Sequence, residues 1–259
     1  MSKMTDHENI LLREQAGGVV TLTLNRPAQF NALSTELLAA LQTELEKVGA
    51  DKTARVIVLA GAGKAFCAGH DLKQMRANHD KGYMQALFKQ AGRLMTTLTE
   101  LPQPVIARVH GVATAAGCQL VASCDLAVAA DVAKFAVSGI NVGLFCSTPA
   151  VALSRNMGRK QALEMLLTGE FIDALEAQRR GLVNRVVPAD QLDAEVKRLT
   201  DTLVAKSQTA LTMGKQMFYR QLEMGLAGAY QFASETMACN MMTDDAVAGI
   251  DGFMAKRKG

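Results

Sequence analysis

The sequence predicts an α/β fold in which apolar strands open through small-residue loops into helices. Two segments carry that reading. In the first, Arg55-Val56-Ile57-Val58-Leu59-Ala60 leads through Gly61-Ala62-Gly63 into Lys64-Ala65-Phe66-Cys67-Ala68-Gly69-His70-Asp71-Leu72-Lys73. In the second, Pro104-Val105-Ile106-Ala107-Arg108-Val109 leads through His110-Gly111-Val112-Ala113-Thr114-Ala115-Ala116-Gly117 into Cys118-Gln119-Leu120. A β-branched run that ends in glycine reads as a buried strand. Small residues after it let backbone N–H groups approach a ligand, and Asp71 can cap the helix beyond. The third observation is the final part of the chain, which reads as helix throughout from Ser207 onward.

Each element has its own pattern. Residues 18–24 alternate at period two, as a strand does, whereas residues 33–48 place Leu37, Leu38, Leu41, Leu45 and Val48 on one helical face, with Ser34 or Thr35 as cap. Residues 55–60 form the next strand, and residues 83–101 a helix that ends before Pro102 and Pro104. A strand at 105–109, a helix at 115–123 and strands at 126–130 and 134–137 complete a β-β-α rhythm. Beyond Pro149, helices are predicted at 149–156, 160–167, 174–181 and 189–206, with a strand at 182–187. The last third is rich in methionine, including Met213, Met217, Met224, Met237, Met241, Met242 and Met254. Such adaptable side chains read as core or subunit interface.

Composition excludes several classes. A chain of 259 residues buries a full core without a second independent domain. The net charge of +3 is mild, and the basic clusters Arg179-Arg180 and Lys256-Arg257-Lys258 are too short for a nucleic-acid stripe. Five cysteines (Cys67, Cys118, Cys124, Cys146, Cys239) form no C-x-x-C pair, which argues against a disulfide framework and a metal site and fits a reducing compartment. Residues 1–8 show neither a secretory nor a transit pattern, and no run approaches the roughly 20 apolar residues of a membrane span. The expectation is a cytoplasmic protein without nucleic-acid or membrane partners.

Three motifs, in this order and spacing, carry a resemblance: Leu24-Asn25-Arg26-Pro27 with Asn31-Ala32-Leu33; A-F-C-A-G-x-D-L-K at 65–73; and V-x-G-x-A-x-x-x-G-C-x-L-x-x-x-C-D-L at 109–126. Together they resemble the crotonase family of acyl-CoA enzymes over nearly the whole chain. Residues 138–149 further resemble its enoyl-CoA hydratase domain-containing protein 3 subgroup. The resemblance implies a ββα spiral core over residues 1–195 and a C-terminal helical region over residues 196–259 that packs at an oligomer interface. It also implies a homotrimer or dimer of trimers. The partner is an acyl-CoA thioester, with coenzyme A as part of the substrate and no separate cofactor or metal.

By the same resemblance, the backbone N–H groups of His70 and Ala116 form an oxyanion hole, which fixed donors make effective. Arg26, Ala68, His70, Asp71, Leu72, Lys73 and Ala116 line the substrate, and the basic tail at Lys256 meets coenzyme A phosphates. The family's two hydratase glutamates fall at Gln119 and Gly139. Glutamine can hold a water but cannot take its proton, and glycine offers nothing, so the usual hydration is expected to be lost. Of the substitutes, His70 exchanges protons near neutrality if its ring turns into the pocket, with an orientation toward solvent or beside the thiol arm of coenzyme A weighed above that. Asp71 reads as a helix cap, Cys146 as a buried thiol, His110 as structural, and Ser138, Asn141 and Ser147 as hydrogen-bonding groups. Two functions stay open: an enzyme that stabilises a thioester enolate and handles its proton in another way, and a noncatalytic acyl-CoA binder or scaffold. A hydrolase lacks its G-x-S-x-G elbow here.

Overall fold

In a computed structural model that describes residues 10–256, the strands that read as apolar throughout lie at the centre. Leu11–Ala16 (β1), Val19–Leu24 (β2), Val56–Gly61 (β3), Val105–Val109 (β5), Leu126–Ala130 (β7) and Arg185–Val187 (β10) form a six-stranded sheet in the order β1-β2-β3-β5-β7-β10. All neighbours are parallel except β1, which runs antiparallel to β2. Every residue of β3 is buried, as expected of a parallel strand packed on both faces. Ile57 and Leu59 face one apolar cluster, Val56 and Val58 another. That split is the period of two at work.

A second, four-stranded sheet consists of the short strands Ala65–Cys67 (β4), Val112–Thr114 (β6), Lys134–Ala136 (β8) and Ile172–Asp173 (β9). Each of β3, β5 and β7 turns directly into a strand of this small sheet before the chain enters a helical segment. Leu72–Ala77 (α2) and Lys81–Glu100 (α3) come after β4, and Ala116–Ser123 (α4) after β6. Beyond β8 lie a 3-10 turn at Ser138–Val142 and the helix Ser147–Asn156 (α5). This is the ββα spiral with a helical C-terminus. The strands β1, β4, β6 and β9 have no counterpart among the elements expected from the sequence; the predicted strand at 182–187 is shortened to Arg185–Val187, and the helix predicted from 149 begins at Ser147.

Thr35–Ala50 (α1) buries Leu37, Leu38, Leu41, Leu45 and Val48, the five positions its periodicity marks, and the Ser34 hydroxyl caps it by accepting from the Leu37 N–H. Arg159–Thr168 (α6) and Ala174–Arg179 (α7) flank β9. Leu192–Val204 (α8) lays Leu192, Val196 and Leu199 on the outer face of the large sheet, against Val56, Val58, Ile106 and Val128. Residue 195, the expected division of the chain, therefore lies within a helix that completes the core.

Gln208–Gln221 (α9), Leu226–Met241 (α10) and Asp244–Lys256 (α11) bury no residue fully. A largely buried polar cluster ties α9 to the spiral. The Lys215 ammonium lies 2.7 Å from Asp125 and donates to the carbonyls of Leu98 and Gln103 at 2.8 and 2.9 Å. The Tyr219 hydroxyl donates to the same carboxylate at 2.9 Å. Arg257 and Lys258 of the basic tail, and the segment read for targeting signals, lie outside the described residues.

Candidate active site

The entry motif acts as a clamp. Asn31 is fully buried with φ 56°, in the left-handed region that asparagine tolerates. Its amide nitrogen donates to the carbonyls of Ala62 and Ala65 at 2.8 Å and of Phe66 at 3.2 Å, and its oxygen accepts from the Arg26 N–H at 2.9 Å. These bonds fix the loop between β3 and β4. The Arg26 guanidinium donates to Ala32 O at 2.5 Å and to the Asp71 carboxylate at 2.9 Å. Asp71 in turn caps α2 by accepting from the Lys73 and Gln74 N–H groups. Arg26 and Asp71 are thus spent on bracing each other and the loop.

Beside this clamp lies a cavity of about 300 Å³. Of the residues marked for substrate contact, it brings together Ala68, His70, Leu72 and Ala116, and Gly139 joins them on the wall. Arg26, Asp71, Lys73 and Gln119 are not part of that wall. The rest of the lining is largely apolar, with Met75, Phe88, Val142, Leu144, Phe145 and Pro149.

Local backbone geometry leaves two donors on that wall. Leu33 bridges the loop by donating to Gly69 O at 2.7 Å and accepting from the Asp71 N–H at 3.1 Å, a pattern that passes over the N–H of His70. Ala115, with φ 51° and ψ −121°, gives its N–H to Ala136 O and its carbonyl to the first helical bond of α4, from Gln119. Neither His70 nor Ala116 donates its backbone N–H to a protein acceptor among the described residues. The two loops touch: a Cβ at Gly69, whose φ is 92°, would lie 2.8 Å from Ala115 Cβ and 3.1 Å from Ala116 N. Two donors held this way, at the positive end of α4, can hold negative charge on a single oxygen. Ala68 spends its own N–H on Phe30 O.

At the two positions matched to glutamates, the structure gives different reasons for their residues. Gln119 is buried, and its side-chain Oε1 has no hydrogen-bond partner. Gly139 is a packing requirement, because a Cβ there would meet Leu144 O at 2.5 Å and Cys146 Sγ at 2.7 Å. The loop is folded back onto it by the bond from Leu144 N to Gly139 O, 2.9 Å long. Nothing in the sequence pattern signals this closure.

Of the two orientations favoured for the His70 ring, toward solvent or beside the thiol arm of coenzyme A, the first is not met, since the ring is largely buried. The imidazole forms part of the cavity wall and meets Phe88 edge-on, 5.4 Å between centroids. Burial pushes its pKa down to about 4, so the ring is neutral at neutral pH. Burial also raises the pKa of the Cys146 thiol, opposed in part by the nearby Gly139 N–H. Ser138 shares a 2.8 Å hydrogen bond with Thr114, while Asn141 reaches Gly169 O and stands off the wall. His110 pairs with Gly63 O at 2.9 Å, a structural role. Among the described residues, no three His, Cys, Asp or Glu side chains gather as a metal site, and no helix is long and apolar enough to cross a membrane.

This fold and this pair of loops define a crotonase-type protein, and the family model for enoyl-CoA hydratase/isomerase matches residues 14–259. The chain belongs to that family. It is 44% identical over 257 residues to the mitochondrial enoyl-CoA hydratase domain-containing protein 3 of Xenopus laevis, covering 99% of this chain and 87% of that protein. Among solved structures, it matches an enoyl-CoA hydratase of Mycobacterium smegmatis at 57% identity and TM-score 0.95, over 96% of this chain and 97% of that one. It matches human enoyl-CoA hydratase domain-containing protein 3 at 41% identity and TM-score 0.93, over 95% and 98%. The subgroup resemblance is therefore met. The cytoplasmic expectation is overturned, since the Xenopus relative is named as mitochondrial. Free thiols report a reducing environment, which more than one compartment supplies.

Proposed function

We propose that the chain binds acyl-CoA thioesters in the cavity of about 300 Å³ and holds the thioester oxygen between the N–H groups of His70 and Ala116, without efficient hydratase activity. The observation that carries this reading is the pair of unpartnered donors on one wall, kept together by the contact between Gly69 and Ala115. One such donor is worth about 3 to 4 kcal/mol in a transition state. Because both are backbone groups, the loss of the glutamates leaves them in place. Water, by contrast, has no carboxylate at Gln119 or Gly139 to take its proton. The same geometry serves a binder without turnover, a reading that the absent carboxylates favour.

No separate cofactor enters this reading. The exposed apolar side chains of the last three helices, among them Phe218, Leu226, Tyr230, Met237 and Met241, support a homotrimer or dimer of trimers in which they are covered. Calorimetry with acetyl-CoA, alongside the loss of enoyl absorbance from crotonyl-CoA, tests the proposal. Binding is expected, with hydration at least about 1,000-fold below that of an efficient hydratase. Gly69→Val should abolish binding, because its side chain would drive the two donor loops apart. Hydration at an efficient rate, or no affinity at millimolar acetyl-CoA, overturns it.

A further inference from the structure

A thioester in the cavity, the proposed reading on which any role for His70 depends, leaves one imidazole on the wall without a task. The His70 ring is part of that wall, and its Nε2 is buried without a hydrogen-bond partner, whereas Nδ1 is not among the buried unpaired atoms. An unpaired buried polar atom costs about 1 to 3 kcal/mol, so the imidazole is not settled by bonds to the protein, and its other nitrogen is the one through which the wall can meet a ligand. Phe88 holds the ring in place by its edge-on contact. The imidazole also hangs from the residue whose own backbone N–H would face the thioester oxygen. Ring and donor thus belong to one residue and line the same cavity as Ala116.

The rest of the wall offers no competitor. Cys146 is the other titratable group there, and burial keeps its thiol protonated. The Ser138 hydroxyl is engaged by Thr114. The geometry points to His70 as the base that removes and returns a proton at the α-carbon of the bound thioester, so that the substrate class is acyl-CoA carrying at least one α-hydrogen. At neutral pH the ring is unprotonated and free to accept. In the forward step the imidazole nitrogen takes the α-proton, the C–H electron pair becomes the C=C bond of the enolate, and the carbonyl π pair moves onto the oxygen held by the two N–H groups. In the reverse step the imidazolium returns a proton to carbon. No oxidant, water or second substrate is consumed.

In buffered deuterium oxide, the imidazolium exchanges with solvent before it returns its proton, so butyryl-CoA incubated with the protein should gain α-deuterium, read by mass spectrometry. His70→Gln keeps the backbone donor and much of the volume; it should slow incorporation by about 100-fold, while butyryl-CoA binding stays measurable by calorimetry and the circular dichroism spectrum reports an intact fold. Binding without exchange in the wild type overturns the base and leaves the ligand reading intact. Exchange that survives His70→Gln also overturns it, and its loss in Cys146→Ala instead would move the role to the thiol. Absence of butyryl-CoA binding overturns both.

Discussion

His70 carries its burial into the acid behaviour of the whole protein. Its pKa lies at about 4 in the fold against an ordinary 6.5, so the unfolded chain binds the extra proton first as pH falls. The stability it confers is complete above about 6.5 and is lost as pH drops toward 4. The full shift would correspond to about 3 kcal/mol, and partial access to solvent reduces that to about 1 to 2 kcal/mol. Urea midpoints measured across this window should fall more steeply for the wild type than for His70→Gln. His110, also lowered by burial, is common to both proteins and cancels in the difference. Equal slopes would show that the ring is not held neutral by the fold. Gly139 illustrates the complementary constraint at this scale: a carboxylate cannot be placed there without moving Leu144 and Cys146.

At the scale of elements, the β3–β4 connection depends on one amide. Asn31→Ala leaves the buried carbonyls of Ala65 and Phe66 without their side-chain donor and should cost about 2 to 4 kcal/mol. Thermal melts would register the loss, and calorimetry should find weaker acetyl-CoA binding because His70 lies just beyond that loop; unchanged values in both would show the clamp to be dispensable. Long periodic elements such as α1, β3, β5 and β7 are legible in the sequence because packing on defined faces dictates their residues. The strands β4 and β6 are not, since three residues in a small sheet leave no period to read. Nor is β1, a strand largely exposed along its length. At the site, motif likeness is enough to name the donor residues. The fold-back of Leu144 onto Gly139 depends on a non-local approach of backbone to side chain that no spacing encodes.

At the scale of the molecule, the C-terminal helices are joined to the spiral by charge more than by hydrophobic burial. Burial disfavours the charged form of both Asp125 and Lys215, and their mutual attraction with added hydrogen bonds offsets part of that cost. Lys215→Met leaves the Asp125 carboxylate buried without its cation and should destabilise by about 3 to 5 kcal/mol. Adding Asp125→Asn should recover part of the loss, and urea unfolding of the three variants measures the coupling. Additive effects would show the pair to be independent.

The sheet order holds a consequence for synthesis. Strands β2, β3, β5 and β7 lie side by side in the sequence in which they leave the ribosome, so each emerging strand meets a neighbour already waiting and the sheet can grow outward from its N-terminal side. The open margin during that growth is always the newest strand. It stays at β7 until Arg185–Val187 arrives more than fifty residues later, counting from Ala130 to Arg185. A nascent chain halted in that interval would present a mostly buried, alanine- and valine-containing edge to its neighbours on a polysome, a ready template for strand addition between copies.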